Sequence, residues 1–231
     1  MADANQPSDL PTLVFDLDGT LADTAVDLIG TLNVLMERMG APPVAVDRAR
    51  DVVGAGARAM IKRGLSLGGK TASETEIETL FQDFLVHYAE NIAVKTSLYP
   101  GARAALDRLA MAGYRLAVCT NKPEEHSVRL LGALGVADLF GSICGRDTFA
   151  FAKPDPRHLT MTVARAGGDP AHAIMIGDSR TDVDTARAAG LPVIAVSFGY
   201  TDTPVAQLSP DRVVDHFDEL EAAVAAFRRT A

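Results

Sequence analysis

The sequence predicts an α/β protein: a doubly wound, mostly parallel sheet with an all-helical insertion near its start. Three observations predict it. The apolar run Leu13-Val14-Phe15 ends in Asp16-Leu17-Asp18-Gly19-Thr20, as a buried strand leading into an acidic turn does. From Pro100 onward short apolar runs alternate with helical patterns, which argues for strand–helix units and a parallel sheet. Between these two regions the chain reads as helices only. The expected division is therefore a core of residues 1–22 and 96–231 with a helical cap domain at 23–95.

Taken in order, Leu28, Leu32, Leu35, Met36 and Met39 recur at spacings of three and four, and Gly40 with Pro42-Pro43 ends that helix. Val53-Gly54-Ala55-Gly56 leads into a helix through Met60 to Leu65. Ser73 and Glu76 form a capping box ahead of a broad apolar face made by Ile77, Leu80, Phe81, Phe84, Leu85 and Tyr88. Beyond Pro100, strands are expected at 115–120, 142–144, 173–177 and 193–196, with a short edge strand at 212–214. Helices are expected at 102–111, 124–133, 156–166, 181–189 and 220–229, most of them closed by a glycine.

Composition bounds the function. With 231 residues, 48% hydrophobic and 23% charged, the chain has the make-up of an ordinary globular protein with a sizeable core. A formal net charge of −8 argues against a general binder of nucleic acid or anionic membranes. The first nine residues are polar and acidic, unlike a signal peptide, and no stretch is apolar enough to span a bilayer. Cys119 and Cys144 have no paired metal spacing and read as reduced core thiols, so a cytoplasmic location is expected.

The expected strand ends carry polar residues of one kind. The first offers Asp16 and Asp18, the second Thr120 and Asn121, the third is followed by Lys153-Pro154, and the fourth runs Gly177-Asp178-Ser179-Arg180-Thr181-Asp182. Each has an ordinary reading alone: Asp and Gly form turns, Thr and Asn cap helices, and acids favour helix N-termini. A calcium loop is disfavoured because Leu21 stands where its glycine belongs. In a parallel sheet all four sets meet at one edge. Hard oxygen ligands at that density suit Mg²⁺, and lysine and threonine donors suit a phosphate.

In this order, Phe15 to Leu21, Thr120-Asn121, Lys153-Pro154 and Gly177-Asp178 to Asp182 resemble the four motifs of the haloacid dehalogenase superfamily, over the whole chain. The insertion after the first motif resembles the type with a small helical cap on a Rossmann-like core. Thr120-Asn121-Lys122-Pro123, Val53 to Gly56, Phe198-Gly199-Tyr200 and the 211–220 segment are similar to bacterial phosphoglycolate phosphatases. The resemblance implies Asp16 as nucleophile forming an aspartyl-phosphate and Asp18 as general acid and base. It implies Mg²⁺ on Asp16, Asp178 and the backbone carbonyl of Asp18, with Asp182 as a further or water-mediated metal partner. Thr120 and Lys153 would hold phosphoryl oxygens, with Asn121 nearby. Asp18 favours a phosphoester hydrolase or phosphomutase over carbon–halogen chemistry.

The core recognises only phosphate, so substrate choice is expected in the cap. Gly54 and Gly56 offer backbone N–H groups and Arg58 is the nearest cation, a set suited to the carboxylate of 2-phosphoglycolate. The partner expected is thus a small phosphorylated metabolite. A sugar-phosphate phosphatase, a pyrophosphatase or a phosphomutase remains open on the same scaffold. A non-catalytic phosphate-binding module would be marked by loss of Asp16, Asp18, Lys153 or Asp178, and all four are present. The five histidines are expected at surface or packing positions.

Overall fold

The computed structural model describes residues 10–48, 52–53, 56–201 and 203–227. Its centre is a six-stranded sheet of β1 (Thr12–Phe15), β4 (Leu116–Cys119), β5 (Ser142–Cys144), β6 (Ala173–Gly177), β7 (Val193–Val196) and β8 (Arg212–Val214). The spatial order is β5-β4-β1-β6-β7-β8, and every pairing is parallel. From β1 the chain steps outward through β4 to β5, then crosses back and steps the other way through β6 to β8. The reversal beside β1 is the topological switch point at which open α/β sheets bind ligands.

The strands are apolar on both faces because both faces are covered. Leu13, Phe15, Leu116, Val118, Ile174 and Ile176 point into one layer. That layer is filled by α4 (Ala102–Met111), α5 (Glu124–Ala133) and α8 (Leu220–Ala225). Val14, Ala117, Cys119 and Met175 point the other way, against Leu159 and Val163 of α6 (Pro156–Arg165) and Val183 and Ala186 of α7 (Arg180–Ala188). Cys119 and Cys144 are buried free thiols at paired positions of β4 and β5, and burial pushes the Cys119 thiol up to about 12. Among the described residues no helix is long and apolar enough to cross a membrane.

Three longer helices of the insertion follow β1: α1 (Ala25–Arg38), α2 (Ala57–Leu67) and α3 (Glu74–Glu90). The expected capping box starts α3, with Ser73 and Glu76 satisfying each other's backbone N–H groups. Ile77, Leu80, Phe81, Phe84 and Tyr88 form its buried stripe. One difference from the sequence expectation lies at the insertion's root. Ala22–Asp23 (β2) pairs antiparallel with Ser97–Leu98 (β3), where helix alone was expected on the insertion side from Asp23 onward. Two-residue strands are too short for any periodicity to announce them. Asp27 tightens the same junction: its carboxylate accepts from the backbone N–H of Lys95 and Thr96 and from the Thr96 hydroxyl.

Candidate active site

Asp16 follows β1 directly, and its N–H still bonds the Ile176 carbonyl of β6 at 2.9 Å. The strand thus delivers the carboxylate to the carboxyl edge of the sheet. Oδ1 accepts from the Leu17 N–H at 2.7 Å and pairs with Lys153 Nζ at 3.0 Å. Both contacts fall on Oδ1, and among the described residues Oδ2 has no such partner. Burial, opposed by Lys153, pushes the Asp16 carboxyl up to about 6.

Lys153 rises from the loop between β5 and α6 and is buried. Its Nζ lies 2.5 Å from Asp182 Oδ1 as well as against Asp16. Burial would favour the neutral amine, but Asp16 and Asp182 reverse this and hold the ammonium well above the usual lysine range. The Lys153 N–H donates to His158 Nδ1 at 3.1 Å, and burial pushes that imidazole down to about 4, so it accepts as a neutral ring. His158 is a packing residue, as expected of the histidines.

Asp178 stands one residue beyond β6 and is buried. Oδ1 accepts from the Thr20 hydroxyl at 3.0 Å and Oδ2 from the Tyr200 N–H at 2.8 Å. Burial first, then Asp182 and Asp16, push its carboxyl up to about 8. Gly199 is required here: a Cβ on it would sit 2.2 Å from Asp178 Oδ2. The Tyr200 hydroxyl in turn donates to Asp23 at 2.5 Å and accepts from the Ala25 N–H at 2.9 Å, tying Asp178's support to the root of the insertion.

Asp182 is fully buried at the third position of α7. Its Oδ2 accepts from the Ser179 N–H and hydroxyl at 3.0 and 2.6 Å, while Oδ1 meets Lys153. Ligand oxygens of Asp16, Asp178 and Asp182 lie within 4.8 Å of one another. With all three ionised, three carboxylates against one ammonium would leave two negative charges uncompensated in a buried site, and this repulsion helps push the Asp16 and Asp178 carboxyls up. That deficit, with an all-oxygen donor set, fits a divalent hard cation.

On the other side of Asp16, the Thr120 hydroxyl accepts from the Lys122 N–H at 3.2 Å and keeps its own proton to donate. The Asn121 amide donates to the Lys153 carbonyl at 3.0 Å, joining two of the strand-end loops. Asp18 is held by Lys122, for which the sequence alone suggests no role. Lys122 Nζ reaches both Asp18 oxygens, at 2.9 and 3.2 Å, and lies 2.9 Å from the Tyr88 hydroxyl in the last turns of α3. Asp18 and Tyr88 outweigh the burial of Lys122 and hold it charged above the usual lysine range.

Most of these groups, Lys153 and Asp182 excepted, line one cleft between the sheet edge and the inserted helices. Asp16, Asp18, Thr120, Asn121 and Asp178 form its floor, and Leu28, Met60, Phe81 and Phe84 its opposite wall. Of the expected cap residues, Gly56 lines the cleft and Gly54 lies outside the described residues. Arg58, expected to meet the substrate, is engaged by another group in this structure. Its guanidinium clasps Glu78 with contacts of 2.8 to 3.1 Å, lies over the Phe81 ring, and is absent from the cleft wall. A carboxylate one helix away competes for the arginine, and nothing in local spacing announces that pairing.

Thr20, Tyr88, Lys122, Arg146 and Tyr200 complete the site without having been assigned a role from the sequence. Lys122 and Arg146 each stand two or three residues past a strand end, which is the signal that marks them. Tyr88 is the polar tip of an otherwise apolar stripe.

The haloacid dehalogenase-like hydrolase pattern matches residues 13–196. A phosphoglycolate phosphatase from Mesorhizobium japonicum is 50% identical over 217 residues, spanning 93% of this chain and 95% of that protein. One from Agrobacterium fabrum is 46% identical over 93% of this chain and 92% of its own length. The crystal structure of a predicted phosphoglycolate phosphatase from Haemophilus somnus superposes with a TM-score of 0.86 at 29% identity, covering 94% of this chain and 98% of that one. With the motif residues gathered at one sheet edge and similarity along nearly the whole length, the chain belongs to the haloacid dehalogenase-like hydrolase family and is an enzyme of the phosphatase kind.

Proposed function

We propose that this protein is a Mg²⁺-dependent phosphomonoester hydrolase that works through an aspartyl-phosphate on Asp16, with 2-phosphoglycolate as its substrate. The observation that carries the reading is the division of labour within Asp16. Oδ1 is pinned by Leu17 and Lys153, Oδ2 has no such contact, and Asp16 lines the cleft. A carboxylate fixed through one oxygen presents the other as a positioned nucleophile.

In the first step Asp16 Oδ2 bonds to phosphorus, the ester P–O bond breaks, and the departing alkoxide takes a proton from the Asp18 carboxyl. In the second, Asp18 accepts a proton from water whose oxygen bonds to phosphorus, and the Asp16–phosphorus bond breaks to restore the carboxylate. The Lys153 ammonium and Thr120 hydroxyl hold non-bridging oxygens throughout, with Asn121 bracing the Lys153 loop. Mg²⁺, held by Asp16, Asp178 and the backbone carbonyl of Asp18, would neutralise charge on the phosphoryl group. Asp182 acts chiefly through Lys153, which it locks in place. Lys122 is a positioning residue that holds Asp18, and through Tyr88 that contact depends on the inserted helices.

The inserted helices, as a cap over the floor, would limit the size of the leaving group. The names of the relatives support phosphoglycolate, and a small, partly apolar cleft suits a short ester. The test is phosphate release with Mg²⁺ from a panel of 2-phosphoglycolate, sugar phosphates, pyrophosphate and 4-nitrophenyl phosphate. Release should be fastest from phosphoglycolate, stop on chelation, and fall by about four orders of magnitude or more in Asp16→Asn. Another preferred ester would overturn the substrate; activity retained by Asp16→Asn would overturn the mechanism.

A further inference from the structure

A small substrate with a phosphate at one end and a carboxylate at the other needs a second anion contact beyond the phosphate floor. Three cationic or potentially cationic side chains line the cleft: Lys122, His126 and Arg146. Lys122 is already committed to both oxygens of Asp18 and to Tyr88. Burial and the neighbouring Lys122 push the His126 imidazole below its usual range, so it stays neutral near pH 7. Arg58, the cation expected from the sequence, is clasped by Glu78 outside the cleft wall.

Arg146 differs from all of these. It stands two residues past β5, at the same edge of the sheet as the phosphate floor, and lines the cleft. Among the described residues its guanidinium has no hydrogen bond or ion pair, although the loop beneath it is tightly fixed. The Arg146 N–H donates to the Lys122 carbonyl at 3.0 Å, and the next residue, Asp147, accepts from the Glu124 N–H at the start of α5 at 2.8 Å. Gly145 is pressed so closely that a Cβ would lie 2.2 Å from the Glu124 nitrogen. Thr148 receives the Gly145 N–H at 2.8 Å and bonds the Glu124 carboxylate. A rigid backbone therefore carries a planar, permanently charged fork with no internal partner, at the rim of a cleft whose floor is acidic. A fixed base also lowers the ordering cost of engaging a ligand.

We infer that Arg146 is the specificity residue of the site: it binds the carboxylate of a short phosphorylated carboxylic acid, while the floor takes the phosphate. This rests on the proposed phosphatase reading and replaces Arg58 in it. The guanidinium fork matches a carboxylate in two parallel hydrogen bonds, and a lysine at the same place offers charge without the fork.

The experiment compares kcat/KM for 2-phosphoglycolate with that for 4-nitrophenyl phosphate, with Mg²⁺, in the wild type and in Arg146→Ala, Arg146→Lys and Arg58→Ala. Arg146→Ala should lower the phosphoglycolate-to-aryl ratio about 100-fold, chiefly through a higher KM for phosphoglycolate, and Arg146→Lys should recover part of it. Arg58→Ala should keep the wild-type ratio. A wild type that hydrolyses phosphoglycolate while Arg146→Ala keeps the ratio would overturn this inference alone. A wild type active on the aryl ester and inert on phosphoglycolate would overturn the substrate reading together with it.

Discussion

The two sides of the cleft are built on opposite principles. On the sheet side, Asp16, Asp178, Asp182 and Lys153 are packed into one charged cluster whose atoms are nearly all engaged by backbone N–H groups, hydroxyls or each other. On the helical side, Leu28, Met60, Phe81 and Phe84 offer shape and little else, and Arg58 is withdrawn onto Glu78. The floor spends much of its stability on holding charges out of water, as a site for a fixed reaction must. The wall is ordinary hydrophobic packing, which can change its contour without touching the chemistry. The charged floor and the contour of the wall above it are thus separable, and the two sides meet at Tyr88–Lys122–Asp18 and at Tyr200.

Unbalancing the charges of the floor should have the largest effect. Lys153→Met leaves Asp16 and Asp182 buried together without their cation. It should abolish turnover and destabilise the metal-free protein by about 3–5 kcal/mol, measured by urea unfolding. A loss no larger than that of a surface lysine would mean that the cluster is less strained than its burial implies.

A gentler perturbation uses pH. The Asp16 and Asp178 carboxyls are raised in the folded protein to about 6 and about 8 from an ordinary value of 3.8. Between those values the folded state binds more protons than the unfolded state, so stability falls as pH rises. Metal-free protein should therefore lose melting temperature steadily from about pH 4 to pH 8. Mg²⁺ should restore more of it at pH 8 than at pH 5, since the carboxylates it would meet are ionised there. A melting temperature flat across this window, or a Mg²⁺ increment larger at pH 5, would contradict the charge deficit.

The legibility of the molecule follows the same division. The central strands were plain because both-face burial forces continuous apolar runs such as Ala173-Ile174-Met175-Ile176, and α3 was plain because its stripe and capping box are local. The shared edge of Asp16, Asp18, Thr120, Lys153 and Asp178 was legible because a parallel sheet gathers its strand ends. The β2–β3 pair, the Glu78 clasp on Arg58 and the Lys122–Tyr88 contact were not, since each joins residues distant in sequence and leaves no periodic trace. Lys122 directly follows Thr120-Asn121, and nothing local marks its contact with Asp18, 104 positions away in the chain.

The smallest expected effect lies at that junction. Tyr88→Phe removes one hydroxyl from Lys122 while keeping the ring stacked on Phe84. It should cost about 1 kcal/mol of stability and slow turnover several-fold, with little change in the KM for phosphoglycolate. An unaltered kcat would mean that the inserted helix does not help hold Asp18.

Phosphorylation of Asp16 is the step on which the proposed mechanism turns, and the Asp18→Asn variant isolates it. An aryl leaving group needs no protonation, so this variant should still complete the first step on 4-nitrophenyl phosphate but stall before hydrolysis. Rapid mixing with Mg²⁺ should give a burst of one equivalent of nitrophenolate per enzyme. Mass analysis of the quenched protein should place one phosphoryl group on the peptide containing Asp16. Steady release without a burst, or a phosphoryl group on any other residue, would contradict the account.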